Sequence, residues 1–193
     1  SGDLYSSRRP GYLYMVSDAN SLIELSDGAT LRAGRYDIKL PDVRLVNGGR
    51  LVFLDGSHWR SADGATLQEL YSDGGVIGLY GLEGLYNYTF PCADDADKWV
   101  AKVGPGGLTL RYDESNSGRS YSHLIWNDYL KTETADGLET DGGVEIDAAG
   151  EFLLYRPQNV KGPFVLRDGN IFLSETLLDR CQAGDFPCGA GDL

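Results

Sequence analysis

Apolar and polar residues alternate with period two over short runs of this chain. In "KWVAKVGPGGLTLRYD", Trp99, Ala101 and Val103 alternate with Lys98 and Lys102, and Leu108, Leu110 and Tyr112 alternate with Thr109 and Arg111. Successive side chains of a strand point to opposite sides, so each run reads as a strand with one apolar face. Turn signals separate the runs. Asp-Gly begins at Asp27, Asp55, Asp63, Asp73, Asp136, Asp141 and Asp168, and both residues tolerate the positive φ that tight hairpin turns require. Four segments therefore read as β-hairpins: "VRLVNGGRLVFLDG" from Val43, "KWVAKVGPGGLTLRYD" from Lys98, "GVEIDAAGEFLLYRP" from Gly143 and "PFVLRDGNIFLS" from Pro163.

This pattern predicts an all-β protein, an antiparallel β-sandwich or barrel-like domain rich in hairpins, with at most one or two short helices. Helical candidates are "SETLLDRC", with Ser174 as N-cap, "SYSHLIWNDYLK", which groups Leu124, Ile125, Tyr129 and Leu130, and "DGATLQELYSD", which groups Leu67, Leu70 and Tyr71. The pentapeptide "DGATL" starts at Asp27 and again at Asp63, with a looser copy at Asp136. The two spacings differ, and a solenoid is expected to sustain its period over at least three units, so the echo reads as a reused hairpin signal. Residues 1–11 read as an N-terminal arm, 12–180 as a single β-rich domain and 181–193 as a Cys/Gly-rich tail.

One stretch departs from simple alternation. "GVIGLYGLEGLYNYT" has glycine at Gly75, Gly78, Gly81 and Gly84, with apolar residues on both period-two faces. Four triplets without proline exclude a collagen helix. Glycine inside a strand marks a bend or a close backbone approach. The segment reads either as a core strand or as a contact between subunits, with Leu79, Tyr80, Leu82, Leu85, Tyr86 and Tyr88 as candidate interface residues.

Charge narrows the choice of partners. Seventeen basic against 29 acidic residues give a net charge of −12, which argues against nucleic acid and anionic membranes. No run approaches the roughly 18 apolar residues of a spanning helix, so no membrane insertion is expected. The first residues show no signal-peptide pattern, which fits either a leader already removed or synthesis in the cytoplasm. Twelve tyrosines and three tryptophans suit protein interfaces or sugar rings, and Trp126 joins Tyr80 and Tyr86 as a candidate glycan platform.

Candidate chemistry is sparse. "GRSYS" lacks the closing glycine and the strand-turn-helix setting of a nucleophile elbow, and His58 and His123 are the only imidazoles. Asp94, Asp95 and Asp97 form an acidic cluster that reads as a solvated loop or as a Ca²⁺ site, since hard oxygen donors suit that ion. No cofactor is required by the pattern. Cys92, Cys181 and Cys188 are an odd set, so at least one thiol lacks an intrachain partner; Cys181 and Cys188 flank a turn that a disulfide could close.

The function these features predict is a non-enzymatic structural or adhesive component of a larger assembly, a virion decoration or tail protein or an extracellular filament. Its partners are other protein subunits, copies of itself among them. A carbohydrate-binding β-sandwich and a carboxylate-based glycan-active enzyme are the alternatives.

Overall fold

The computed structural model describes residues 2–3, 21–34, 37–54, 57–62, 64–80, 86–90, 98–112, 122–126, 130–154 and 160–173. After the short β1 (Gly2–Asp3), the chain winds through turns of three strands each. The first turn is β2 (Leu22–Leu25), β3 (Thr30–Gly34) and β4 (Asp37–Leu40). The second is β5 (Asp42–Val46), β6 (Arg50–Leu54) and β7 (His58–Ser61). The third is β8 (Gln68–Asp73), β9 (Gly75–Tyr80) and β10 (Tyr86–Phe90), and the fourth is β11 (Trp99–Val103), β12 (Leu108–Tyr112) and β13 (Ser122–Trp126). A further turn starts with β14 (Leu130–Lys131) and continues in the long β15 (Val144–Leu154); β16 (Phe164–Leu173) lies beside β15.

Every strand pairing is parallel, and each strand pairs with its counterparts in the turns before and after it. Strands β2, β5, β8, β11 and β14 make the first face. Strands β3, β6, β9 and β12, with the start of β15, make the second. Strands β4, β7, β10 and β13, with the end of β15, make the third. The fold is thus a parallel β-helix, a coil closed around its own core, and the antiparallel sandwich or barrel expected from the sequence is wrong.

The error has a specific cause. The turns at Asp27-Gly28 and Asn47-Gly48 have positive φ at both residues (53° and 73°, 50° and 78°), as in a tight hairpin. Each closes a short loop through Ala29 N–H to Ser26 O and Gly49 N–H to Val46 O. Here the same turn delivers the chain to the next face of the coil. Strand β5 therefore pairs with β2 and β8, not with β6 across the Asn47-Gly48 turn. Likewise β11 and β12 flank a turn but belong to different faces. The other two expected hairpins are single strands: β15 passes through Asp147 to Gly150 with a register shift, and β16 passes through Asp168-Gly169. The helix expected at Leu67, Leu70 and Tyr71 is strand β8 from Gln68 onward; in "SYSHLIWNDYLK" the described residues form β13 ("SHLIW") and, at Leu130, the start of β14; "SETLLDRC" lies outside the described residues.

The period also escaped detection for a physical reason. The inward column on the second face is Leu31, Leu51, Ile77, Leu110, Ile146 and Leu166, each beside the next. Successive members are 20, 26, 33, 36 and 20 residues apart, because the loops between strands vary while the strands stay in register. The first face has a matching column of Ile23, Val43, Leu70, Ala101 and Leu130. Aromatic rings fill the rest of the interior: Trp59 meets Trp99 edge-on at 4.6 Å, and Phe53 meets Phe90 at 4.4 Å between ring centres. Buried polar groups bridge the turns. Gln68 Oε1 accepts from Ala62 N–H at 2.6 Å, and its Nε2 donates to Leu40 O at 2.9 Å.

The glycine triplets find an explanation here. A Cβ on Gly75 would fall against Leu45 of the turn before, and one on Gly78 would lie 2.9 Å from Val52 Cγ2. Strand β9 has β6 and β12 on its two sides, so these glycines mark close packing between turns. Gly81 and Gly84 lie outside the described residues.

Candidate functional site

The interior of the coil is sealed along most of its length. Val144 and Ile146 on β15 are at most 1% exposed. One strand further out, Phe164 and Leu166 on β16 pack against the same core but are only half-buried. At the opposite end Ile23, Leu25, Leu31 and Ile38 are also half-buried. Apolar columns that are closed in the middle thus stay partly open at both ends. At the first turn β1 lies beside β3. Beyond β16 no further strand pairs among the described residues.

Outside the coil, β16 is fastened to β15 by a two-pronged ion pair. Arg167 Nη2 donates to Glu145 Oε2 at 2.9 Å, and Arg167 Nε lies 2.7 Å from Oε1. Fork geometry of this kind matches the guanidinium to both carboxylate oxygens. The hydrogen bond from Arg167 is the main cause that holds the Glu145 carboxyl below the usual carboxylate range, with the charges of Arg167 and Arg111 adding to it and partial burial opposing it.

A depressed carboxyl contributes stability above its unfolded-state value, and that contribution is lost as pH falls through the folded value. In Arg167→Met the Glu145 carboxyl is expected to titrate higher than in the native chain, observed by carbon NMR of the side chain. The stability gap between the two proteins is expected to be full near neutral pH and to shrink on acidification. An unmoved titration would contradict the role assigned to the fork.

The first face carries a ladder of alternating charge. Glu24 lies 3.7 Å from Arg44, whose guanidinium sits 5.6 Å above the Tyr71 ring; Lys102 pairs with Glu69. Burial first, and then the Asp73 carboxylate, push the Tyr71 hydroxyl up, partly opposed by Arg44. Beyond β14, the segment 132–143 folds back on itself through an antiparallel bridge between Glu133 and Glu139. Thr140 Oγ1 donates to Val103 O at 2.9 Å, and Lys161 pairs with Glu139.

The residues singled out from the sequence fall into three groups. Leu79, Tyr88 and Trp126 are core residues, 1%, 0% and 3% exposed, and the Tyr88 hydroxyl donates to Tyr80 O at 2.9 Å. Within this chain they fill the coil and present no ring to a ligand. Tyr80 is half-buried on the outer side of β9. Tyr86 lies on β10, but its side chain is outside the described residues, as are Leu82, Leu85, the acidic cluster Asp94, Asp95 and Asp97, and the thiols Cys92, Cys181 and Cys188. Among the described residues, no group of three His, Cys, Asp or Glu is placed to hold a metal ion, and no helix is long and apolar enough to cross a membrane.

No family model, curated protein or solved structure matches the chain. What the sequence reading missed is the end strand β16. Its signal, "FVL" and "IFL" on either side of "RDGN", is the same as that of the two arms of one hairpin.

Proposed function

We propose that this chain is a non-enzymatic structural or adhesive component of a larger assembly, such as a virion decoration or tail protein or an extracellular filament. The observation that carries the reading is the half-buried apolar end of the coil at Phe164 and Leu166, one strand beyond Val144 and Ile146, which are fully covered. Solenoid ends require a cap, because the last repeat has no neighbour to complete its core. An adjoining subunit supplies one.

The glycan-platform alternative loses Trp126, whose ring is buried in the coil.

Recovery of the protein from its native source tests the proposal. The expected result is co-purification with a larger particle in fixed proportion, with the chain located in that particle by electron microscopy. A chain found only free, at its own 21.0 kDa, would overturn it.

A further inference from the structure

Resting on that reading, we propose that the neighbour at the β16 end is a second copy of this chain, with the two β16 strands paired antiparallel about a two-fold axis. Three observations support this. The apolar column is half-open at β16, and no strand pairs beyond it among the described residues. The first-turn strand on the second face, β3, already carries β1 beside Leu31 and Arg32, so head-to-tail stacking of one copy on the next would meet a partly occupied edge on that face. A two-fold contact uses the β16 edge twice and closes on itself.

The third observation is the sequence of the strand. "FVLRDGNIFL" is symmetric in character about the bond between Asp168 and Gly169. With the axis there, Phe164 stands opposite Leu173, Val165 opposite Phe172, Leu166 opposite Ile171, and Arg167 opposite Asn170. Apolar meets apolar in three of these positions, and no charge faces a like charge, which directly opposed pairs disfavour.

The parity of the strand also agrees. Directly opposed residues of an antiparallel pair lie on the same side of the sheet. Phe164 and Leu166 pack on the core. Their opposites continue, by backbone register, the columns of buried Tyr88 and Trp126 on the third face: Ile171 lies beside Phe152 and Leu124 in the first, and Leu173 beside Leu154 in the second. A shift of the axis by half a residue would set these columns out of step. The pairing proposed here continues the core columns of one copy into those of the other. An unmatched strand edge is a template for such pairing.

The test has two parts. Sedimentation equilibrium of the unaltered chain over a wide concentration range is expected to show a dimer. In a background with Cys92, Cys181 and Cys188 replaced by Ser, Arg167→Cys combined with Asn170→Cys is expected to form a disulfide-linked species of twice 21.0 kDa under air oxidation. Each single variant is expected to remain unlinked, because its thiol faces no cysteine across the axis. A chain that sediments at 21.0 kDa at every concentration would overturn the proposal, as would a dimer in which the double variant links no better than the single ones. Either failure leaves the assembly reading intact if the chain still co-purifies with a larger particle; a dimer found only free would sink that reading and not this one.

Discussion

Replacing Trp59 by alanine is expected to lower the unfolding free energy by about 3–5 kcal/mol, the range for deleting a large buried aromatic ring. Trp59 is 2% exposed and stands where three turns meet. Its ring is 5.7 Å from Phe53 of its own turn, 6.1 Å from Phe90 of the next and 4.6 Å from Trp99 of the one after. Loss of the ring removes apolar burial and leaves a cavity that stiff neighbouring strands cannot close. Urea unfolding followed by circular dichroism measures the loss. Leu138→Ala, at an exposed position, is expected to stay within about 0.5 kcal/mol of the native chain. A Trp59→Ala loss as small as that of the control would mean the ring is not in the core.

The second large effect is expected at a corner. In Gly49→Ala the new Cβ would fall against the carbonyl oxygen of Leu25, in the backbone of the preceding turn. No rotamer change relieves that contact, so the stacked turns must separate. A cost of about 3 kcal/mol or more is expected, at or above the top of the usual range for overpacking. Gly28→Ala provides the comparison. Gly28 has φ of +73°, but a Cβ there meets nothing within 4 Å, so only the left-handed backbone is penalised, by about 1–2 kcal/mol. Thermal melting of the two variants separates crowding between turns from local strain. Equal losses would mean that the turns are not stacked at Gly49.

How much of this was legible in the sequence follows from what each signal encodes. Alternation placed the strands well, because period two depends only on one side of a strand facing a core: Trp99, Ala101 and Val103 point inward as their spacing implies. Partnership was not legible. A turn such as Asn47-Gly48 has the same backbone chemistry whether it folds a strand back on its neighbour or passes it to the next face. What distinguishes the two is the contact between residues a full turn apart, such as Leu51 with Ile77, and variable loops scatter that spacing. The candidate interface residues suffered from the same ambiguity. Leu79 and Tyr88 belong to the stretch that is apolar on both faces, but they sit on β9 and β10 with their side chains buried in the coil's own core. The end strand β16 was hidden by its own symmetry, since a strand that matches a reversed copy of itself also resembles the two arms of a hairpin.

The parallel pairing of successive turns underlies both the proposed role and the dimer, and a pair of cysteine variants tests it directly. In the coil, Thr109 on β12 stands beside Val76 on β9. In an antiparallel hairpin turning at Gly104 to Gly107, Thr109 would instead stand beside Lys102. In a background free of the native cysteines, Val76→Cys with Thr109→Cys is expected to form an intrachain disulfide readily, while Lys102→Cys with Thr109→Cys is expected to remain reduced. Preferential linkage of residues 102 and 109 would contradict the β-helix.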